Sequence, residues 1–184
     1  ISKTFGEYII EEFIPGRNRM RTVNVLFDKY GELAAYFMVN KIRELPFSGG
    51  LTAMAESMDD KRLLDMMMPF FKKWRWEGFA EAEIKIDERD DVPKLIEINP
   101  RVWGYIGFPI RCGVNFPHIA CRLALGERAK AITMTSYKVG VKYINPTYYY
   151  KSAVAEIIKG QDKTVIIKKV FEEHKGKMVN NNID

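Results

Sequence analysis

Two short alternating segments, with a turn between them, constrain this chain more than anything else in it. The first is Glu81-Ala82-Glu83-Ile84-Lys85-Ile86-Asp87. Extended, it puts Ala82, Ile84 and Ile86 on one side and Glu81, Glu83 and Lys85 on the other. In the second, Ile96 and Ile98 are apolar, while Glu97 and Asn99 share the opposite side. Pro100 ends the run, because proline cannot donate to a ladder. The pattern predicts a two-faced antiparallel hairpin. If Ile84 pairs with Ile96, Glu83 stands directly across from Glu97. Like charges opposite one another destabilise a ladder, and a hard cation between them removes that penalty. Mg²⁺ suits the place, since it takes one or two carboxylates plus substrate phosphates. Asn99 adds an oxygen ligand, and Arg101, in the loop beyond, a cationic fork matched to phosphate. A solvated acidic face on an edge hairpin is the competing reading of the same residues.

The rest of the composition narrows the field. A chain of 184 residues with 47% hydrophobic content can bury a core as one globular domain. It contains no apolar run of about 18 residues, so no transmembrane helix is expected. No secretory leader pattern is present either, which points to the cytoplasm. The chain opens at Ile1 on strand-like residues and reads as a piece of a longer protein. Cys112 and Cys121 lack a ligand-spacing pattern, and His118 and His174 are the two histidines. A zinc site is therefore not expected, and both thiols read as reduced packing residues. The net charge of +5 is diffuse, with part of it between Lys159 and Lys177. It fits anionic small molecules better than nucleic acid.

Along the chain, Tyr8 to Ile14 reads as a strand broken by Pro15-Gly16. Thr22–Phe27 and Leu33–Val39 read as a hairpin joined at Asp28–Gly31. Leu45–Leu51 reads as a loop. Asp59–Trp76 has apolar residues at helical spacing, with Ser57 or Asp59 as cap, a kink at Pro69, and Met66-Met67-Met68 as core filler. Gly104–Asn115 reads as an irregular loop and Phe116–Leu125 as a helix capped by Asn115, with Pro117 in its first turn. Tyr137–Tyr143 and Thr164–Val170 read as strands, Ser152–Lys159 as a short helix, and Lys175–Asp184 as a frayed tail. The sum is α+β: a largely antiparallel sheet with flanking helices.

Several of these segments resemble the C-terminal part of the ATP-grasp superfamily. The most specific is Leu95-Ile-Glu-Ile-Asn-Pro-Arg-Val-Trp-Gly104, followed by Cys112-Gly-Val-Asn-Phe-Pro117 and Leu123-Ala-Leu-Gly126. The likeness runs from Tyr8 to Glu127. It is nearest to carbamoyl-phosphate synthetase large-subunit-like proteins and ATP-dependent carboxylate-amine ligases. The resemblance implies that Glu83, Glu97 and Asn99 hold two Mg²⁺ ions, with Mn²⁺ as an alternative. It implies that Arg101 steadies the transferred phosphoryl group. Glu11, Glu12, Phe13 and Ile14 resemble the segment that holds adenine, with Arg19 near the place where many relatives carry a ribose-binding glutamate. Lys41 to Gly50 resembles the loop that closes over triphosphate and substrate, which makes Arg43 a catalytic candidate and Ser48 a weaker one. Trp103, Gly104 and Tyr105 are candidates for an acceptor pocket.

The implied division is an ATP-grasp C-terminal subdomain over 1–130 and an extension over 131–184. The implied activity is ATP- and Mg²⁺-dependent activation of a carboxylate as an acyl phosphate, which an amine or similar nucleophile then attacks. The partners are ATP, a small carboxylate or amine substrate, and the missing N-terminal portion, in the same protein or in a separate chain. A homodimer is also compatible. A non-catalytic nucleotide-binding or regulatory module with the same fold is the alternative.

Overall fold

The computed structural model describes residues 10–46, 50–132, 136–174 and 178–179. Its centre is a seven-stranded sheet in the order β5-β4-β1-β2-β3-β6-β7. The strands are β1 (Met20–Phe27), β2 (Leu33–Leu45), β3 (Leu51–Met58), β4 (Gly78–Ile86), β5 (Pro93–Asn99), β6 (Lys142–Ile144) and β7 (Met178–Val179). Every neighbouring pair is antiparallel except β6 with β7.

Side-chain alternation splits the core between the two faces of the sheet. Val23, Val25, Met38, Ala82 and Ile84 meet Leu63, Met67 and Phe71 of helix α1 (Lys61–Lys73). On the other face, Leu26, Phe37 and Val39 pack with Trp103, Phe108 and Phe116. These come from the loop after β5, from α2 (Gly107–Cys112) and from α3 (Phe116–Ala124). Beyond the end of β2 and β3 lie α4 (Pro146–Ile158) and α5 (Lys163–Glu173), with Tyr149 packed against Ala53 and Met54. Residues after 130 thus extend the same sheet through β6 and cover one end of it.

Several local expectations change. Residues 10–14 belong to no strand, and Tyr8 and Ile9 lie outside the described residues. The expected return strand continues past Val39 to Leu45, so the Leu45–Leu51 loop loses both its ends to strands. Helix α1 starts at Lys61 because Asp60, rather than Ser57 or Asp59, accepts the Arg62 backbone N–H. The helix continues through Pro69. Part of the Gly104–Asn115 loop is the helix α2. Only Lys142 to Ile144 form the strand sought over Tyr137–Tyr143. The short helix expected from Ser152 begins at Pro146, where Asn145 caps it. Thr164–Val170 is helix α5, capped by Asp162. In the tail, Met178 and Val179 form β7, and the remaining residues from Lys175 lie outside the described set.

Candidate functional site

The hairpin forms, and its register has a step in it. Glu81 lies opposite Asn99, Ala82 opposite Ile98, and Glu83 opposite Glu97. The register then shifts, and Ile84 pairs with Leu95. Ile96 is the extra residue of this bulge and is half-exposed, not a core partner of Ile84. Glu83 and Glu97 therefore face each other as expected, through a bulge that the alternation argument did not contain. Asn99 Nδ2 donates to Glu97 Oε1 at 2.6 Å.

Strand β1 lies on the other side of β4, with Thr22 opposite Glu83 and Asn24 opposite Glu81. Opposed residues share a face, so these carboxylates are on the side of Tyr105, whose hydroxyl is 2.8 Å from Thr22 Oγ1 and donates to Glu81 Oε1 at 3.1 Å. Two cations meet them. Arg101 Nη1 donates to Glu81 Oε2 at 3.1 Å. Lys41 of β2, almost wholly buried, donates from Nζ to Glu83 Oε1 at 2.7 Å and to Glu44 Oε1 at 3.4 Å. Burial pushes the Glu81 and Glu44 carboxyls above their ordinary range, against the pull of Lys41. Burial alone would lower the Lys41 ammonium, but the charges of Glu83 and Glu44 outweigh it and raise it.

Glu83, Glu97 and Arg101 open onto a cleft of about 1080 Å³. Glu11, Glu12, Phe13 and Ile14 line one side, and Glu83, Glu97 and Arg101 the other. Leu45, Leu51, Leu95 and Ile96 give it apolar wall. The 11–14 segment is tethered to the hairpin turn by Arg89, which donates to Glu12 Oε1 at 2.7 Å and to the buried Asp87. Ile14 is buried, whereas Phe13 is exposed, with Lys85 Nζ 5.3 Å from its ring centre. A smaller cavity of about 250 Å³ adjoins through Gly50, Leu51, Glu83 and Arg101, and reaches Glu81, Tyr105 and Tyr148. Gly50 is needed at the junction: a Cβ there would come 2.6 Å from the Leu45 carbonyl oxygen.

Among the described residues, no three His, Cys, Asp or Glu side chains cluster closely enough to hold a metal ion by themselves. The facing carboxylates with Asn99 supply a partial oxygen set that substrate phosphates would complete. That is the usual arrangement for Mg²⁺, so the residues fit it. The Asn99 amide can present either its nitrogen or its oxygen, according to what faces it.

The structure does not bring Arg43 to this cleft. The register jumps from Lys41 opposite Ala55 to Arg43 opposite Met54, so one extra residue turns Arg43 to the other face. There it is buried against Glu156 and Glu173. Lys41, Glu44 and Glu81 take part instead, and sequence reasoning did not single them out. Ser48 lies outside the described residues. Gly104 and Tyr105 line the smaller cavity, while Trp103 is core. Arg19 pairs with Asp91 of the hairpin turn. Cys112 is buried, but Cys121 is exposed and not a packing residue.

The chain belongs to the ATP-grasp family described as ATP-grasp in the biosynthetic pathway with Ter operon, whose pattern matches residues 4–147. It is 30% identical over 99 residues to a D-aspartate ligase of Enterococcus faecium, a match that covers 52% of this chain and 24% of that protein. The chain thus spans about a quarter of the length of that curated relative. Among solved structures, pyruvate carboxylase of Rhizobium etli superposes with a TM-score of 0.55 at 12% identity, covering 72% of this chain and 14% of that one. The biotin carboxylase domain of a thermophilic 2-oxoglutarate carboxylase gives 0.50 at 18% identity, covering 64% and 28%. At these identities the structures share the fold.

Proposed function

We propose that this chain supplies the nucleotide cleft and part of the phosphoryl-transfer site of an ATP- and Mg²⁺-dependent ligase joining a carboxylate to an amine. One observation carries the reading: Glu83 opposite Glu97 in a cleft that residues 11–14 and Arg101 also line. Glu83, Glu97 and Asn99 would hold Mg²⁺, as two ions with Mn²⁺ able to substitute, which neutralises charge between the acidic pair and the phosphates.

The chain's own residues do the rest. The backbone of Glu12 to Ile14 takes the adenine edge, beside Glu11 and the apolar wall. Lys41 and Arg101 point cations at the transferred phosphoryl group, and Arg101 then steadies the acyl phosphate until the amine attacks. Such chemistry is positioning plus electrostatic stabilisation and calls for no side-chain nucleophile. The name of the Enterococcus relative supports a carboxylate–amine reaction. The remainder of the nucleotide clamp comes from a further portion of the same protein or from a second chain.

Calorimetric titration with ADP, with and without Mg²⁺, tests this on the chain and on Glu97→Gln. Binding that needs Mg²⁺ and weakens roughly 100-fold in the variant is expected. Binding indifferent to both would refute the metal site.

A further inference from the structure

Strand β2 sends two cations in opposite directions within three residues. Lys41 goes to Glu83 and the smaller cavity beside the cleft. Arg43 goes to the far face, its side chain 1% exposed. Its Nη1 is 2.8 Å from Glu156 of α4, and its Nη2 is 3.1 Å from Glu173 of α5. Its guanidinium carbon is 5.0 Å from the ring centre of Tyr149, whose hydroxyl donates to Glu173 at 2.6 Å. Next along the strand, Ser152 Oγ donates to the Glu44 carbonyl at 2.7 Å. Glu156, Glu173, Tyr149 and Ser152 line neither the cleft nor the smaller cavity.

The bulge at Ile42 makes this possible. In an unbroken ladder Lys41 and Arg43 would share a face. Here the register steps by one residue at Ile42 and steps back at Glu44, which lies opposite Thr52, and across that double step Lys41 and Arg43 diverge. Something must select the bulged register. A buried ion pair is suited to that, since setting register is the best-attested use of buried charge. In the regular register the guanidinium would leave Glu156 buried without its cation, and Glu173 with only the Tyr149 hydroxyl and Lys169.

We propose that Arg43, gripped by Glu156 and Glu173, is a positioning residue: through it the two C-terminal helices fix the β2 bulge and hence the place of the Lys41 ammonium. What Lys41 does for a phosphoryl group rests on the proposed function; where Arg43 puts it does not.

The test reads the Lys41 ammonium by ¹H–¹⁵N correlation on the 184-residue chain labelled with ¹⁵N-lysine. A buried, ion-paired Lys41 gives a slowly exchanging signal, assigned by its loss in Lys41→Arg. In Arg43→Met its proton exchange should accelerate roughly tenfold or more, to the point of losing the signal. Arg43→Met strands the buried Glu156 carboxylate, takes the guanidinium from Glu173 and can unfold the chain. The combined Arg43→Met/Glu156→Gln/Glu173→Gln variant removes the charges together and should lose the signal while remaining folded. Arg43→Lys, which keeps a cation on that face, should recover part of it. Ser152→Ala, which changes no charge, should show a smaller acceleration. An unchanged Lys41 signal in any folded Arg43 variant overturns the proposal, as does a wild-type chain with no such signal. Failure of Mg²⁺–ADP binding with the signals behaving as expected would strike the ligase reading alone.

Discussion

Two clusters of charge lie on opposite faces of the same stretch of β2, and they are composed differently. Around the cleft and the smaller cavity beside it, Glu44, Glu81, Glu83 and Glu97 meet Lys41 and Arg101, so carboxylates outnumber cations. Under α4 and α5, Arg43 and Lys169 meet Glu156 and Glu173, and the charges balance. The balanced cluster is closed to solvent around Arg43, whereas Glu97 is exposed. A cluster that satisfies itself contributes specificity to the fold. One left with surplus negative charge at an open cleft keeps room for a cation that the chain does not encode. The two are readily confused in sequence, because Lys41 and Arg43, one from each cluster, stand two residues apart on the same strand.

The sharpest way to break this contrast is to remove one member from each cluster. Arg43→Met leaves Glu156 buried and unpaired and Glu173 with Lys169 and the Tyr149 hydroxyl, and should cost about 3–5 kcal/mol in chemical denaturation. Replacing all three together by uncharged residues should cost far less. Glu97→Gln removes an exposed carboxylate and should leave the unfolding midpoint nearly unchanged. Its effect belongs to the ligand: Mg²⁺-dependent ADP affinity should fall roughly 100-fold, about 2.7 kcal/mol. If Arg43→Met proved harmless and Glu97→Gln destabilised the fold, the division between structural and ligand-directed charge would be the reverse of the one drawn here.

The pH dependence sharpens the same comparison within the hairpin. Glu81 has its carboxyl raised, by burial first and by the neighbouring Glu83 charge as well. A raised carboxyl favours the protonated folded state, so the stability it gives is greatest at low pH and falls as pH rises through the folded value. Each unit of elevation corresponds to about 1.4 kcal/mol. Glu81→Gln should flatten that decline. Asp87, at the end of the same strand, is the opposite case. Hydrogen bonds from Arg89 first, and then from Lys94, hold it well below the usual carboxylate range. Its contribution is present above the ordinary aspartate value and disappears as pH falls towards the folded value. Asp87→Asn should therefore remove the acid-side loss that Glu81→Gln leaves intact. Thermal unfolding of both variants across pH 2 to 8 separates them, and matching profiles would contradict the assignment.

What the sequence disclosed follows from where local pattern governs. The β4–β5 hairpin was legible because alternating side chains of contrasting character define a strand by themselves. Its bulge was not, because a register step leaves no mark in composition. The same blind spot hid Lys41: continued alternation would put it beside Arg43, and only the extra residue at Ile42 parts them. Strand β3, Leu-Thr-Ala-Met-Ala-Glu-Ser-Met, has few strand-forming residues and owes its conformation to β2 and β6 on its flanks. Helix α5 failed in the other direction. Its Thr-Val-Ile-Ile run has the β-branched content of a strand, yet Asp162 caps it and Ile166 and Val170 turn inward at helical spacing. Tertiary packing settled both.

The smallest effect comes from that same cap. Asp162 Oδ1 accepts the Thr164 N–H at 2.7 Å in an exposed turn. Asp162→Ala should cost about 1 kcal/mol, as loss of a helix N-cap usually does. Glu173 is the last residue of the helix, roughly 16 Å along the axis from the cap at 1.5 Å per residue. Fraying at the start of α5 therefore leaves the Arg43 contacts in place, and the Lys41 ammonium signal should be unchanged even as the unfolding midpoint drops. Glu173→Gln acts at the other end of the helix, and there the signal should respond. If Asp162→Ala disturbed Lys41 as much as Glu173→Gln did, general loosening of α5 would account for both, and the ion pair would have no particular part in setting the bulge.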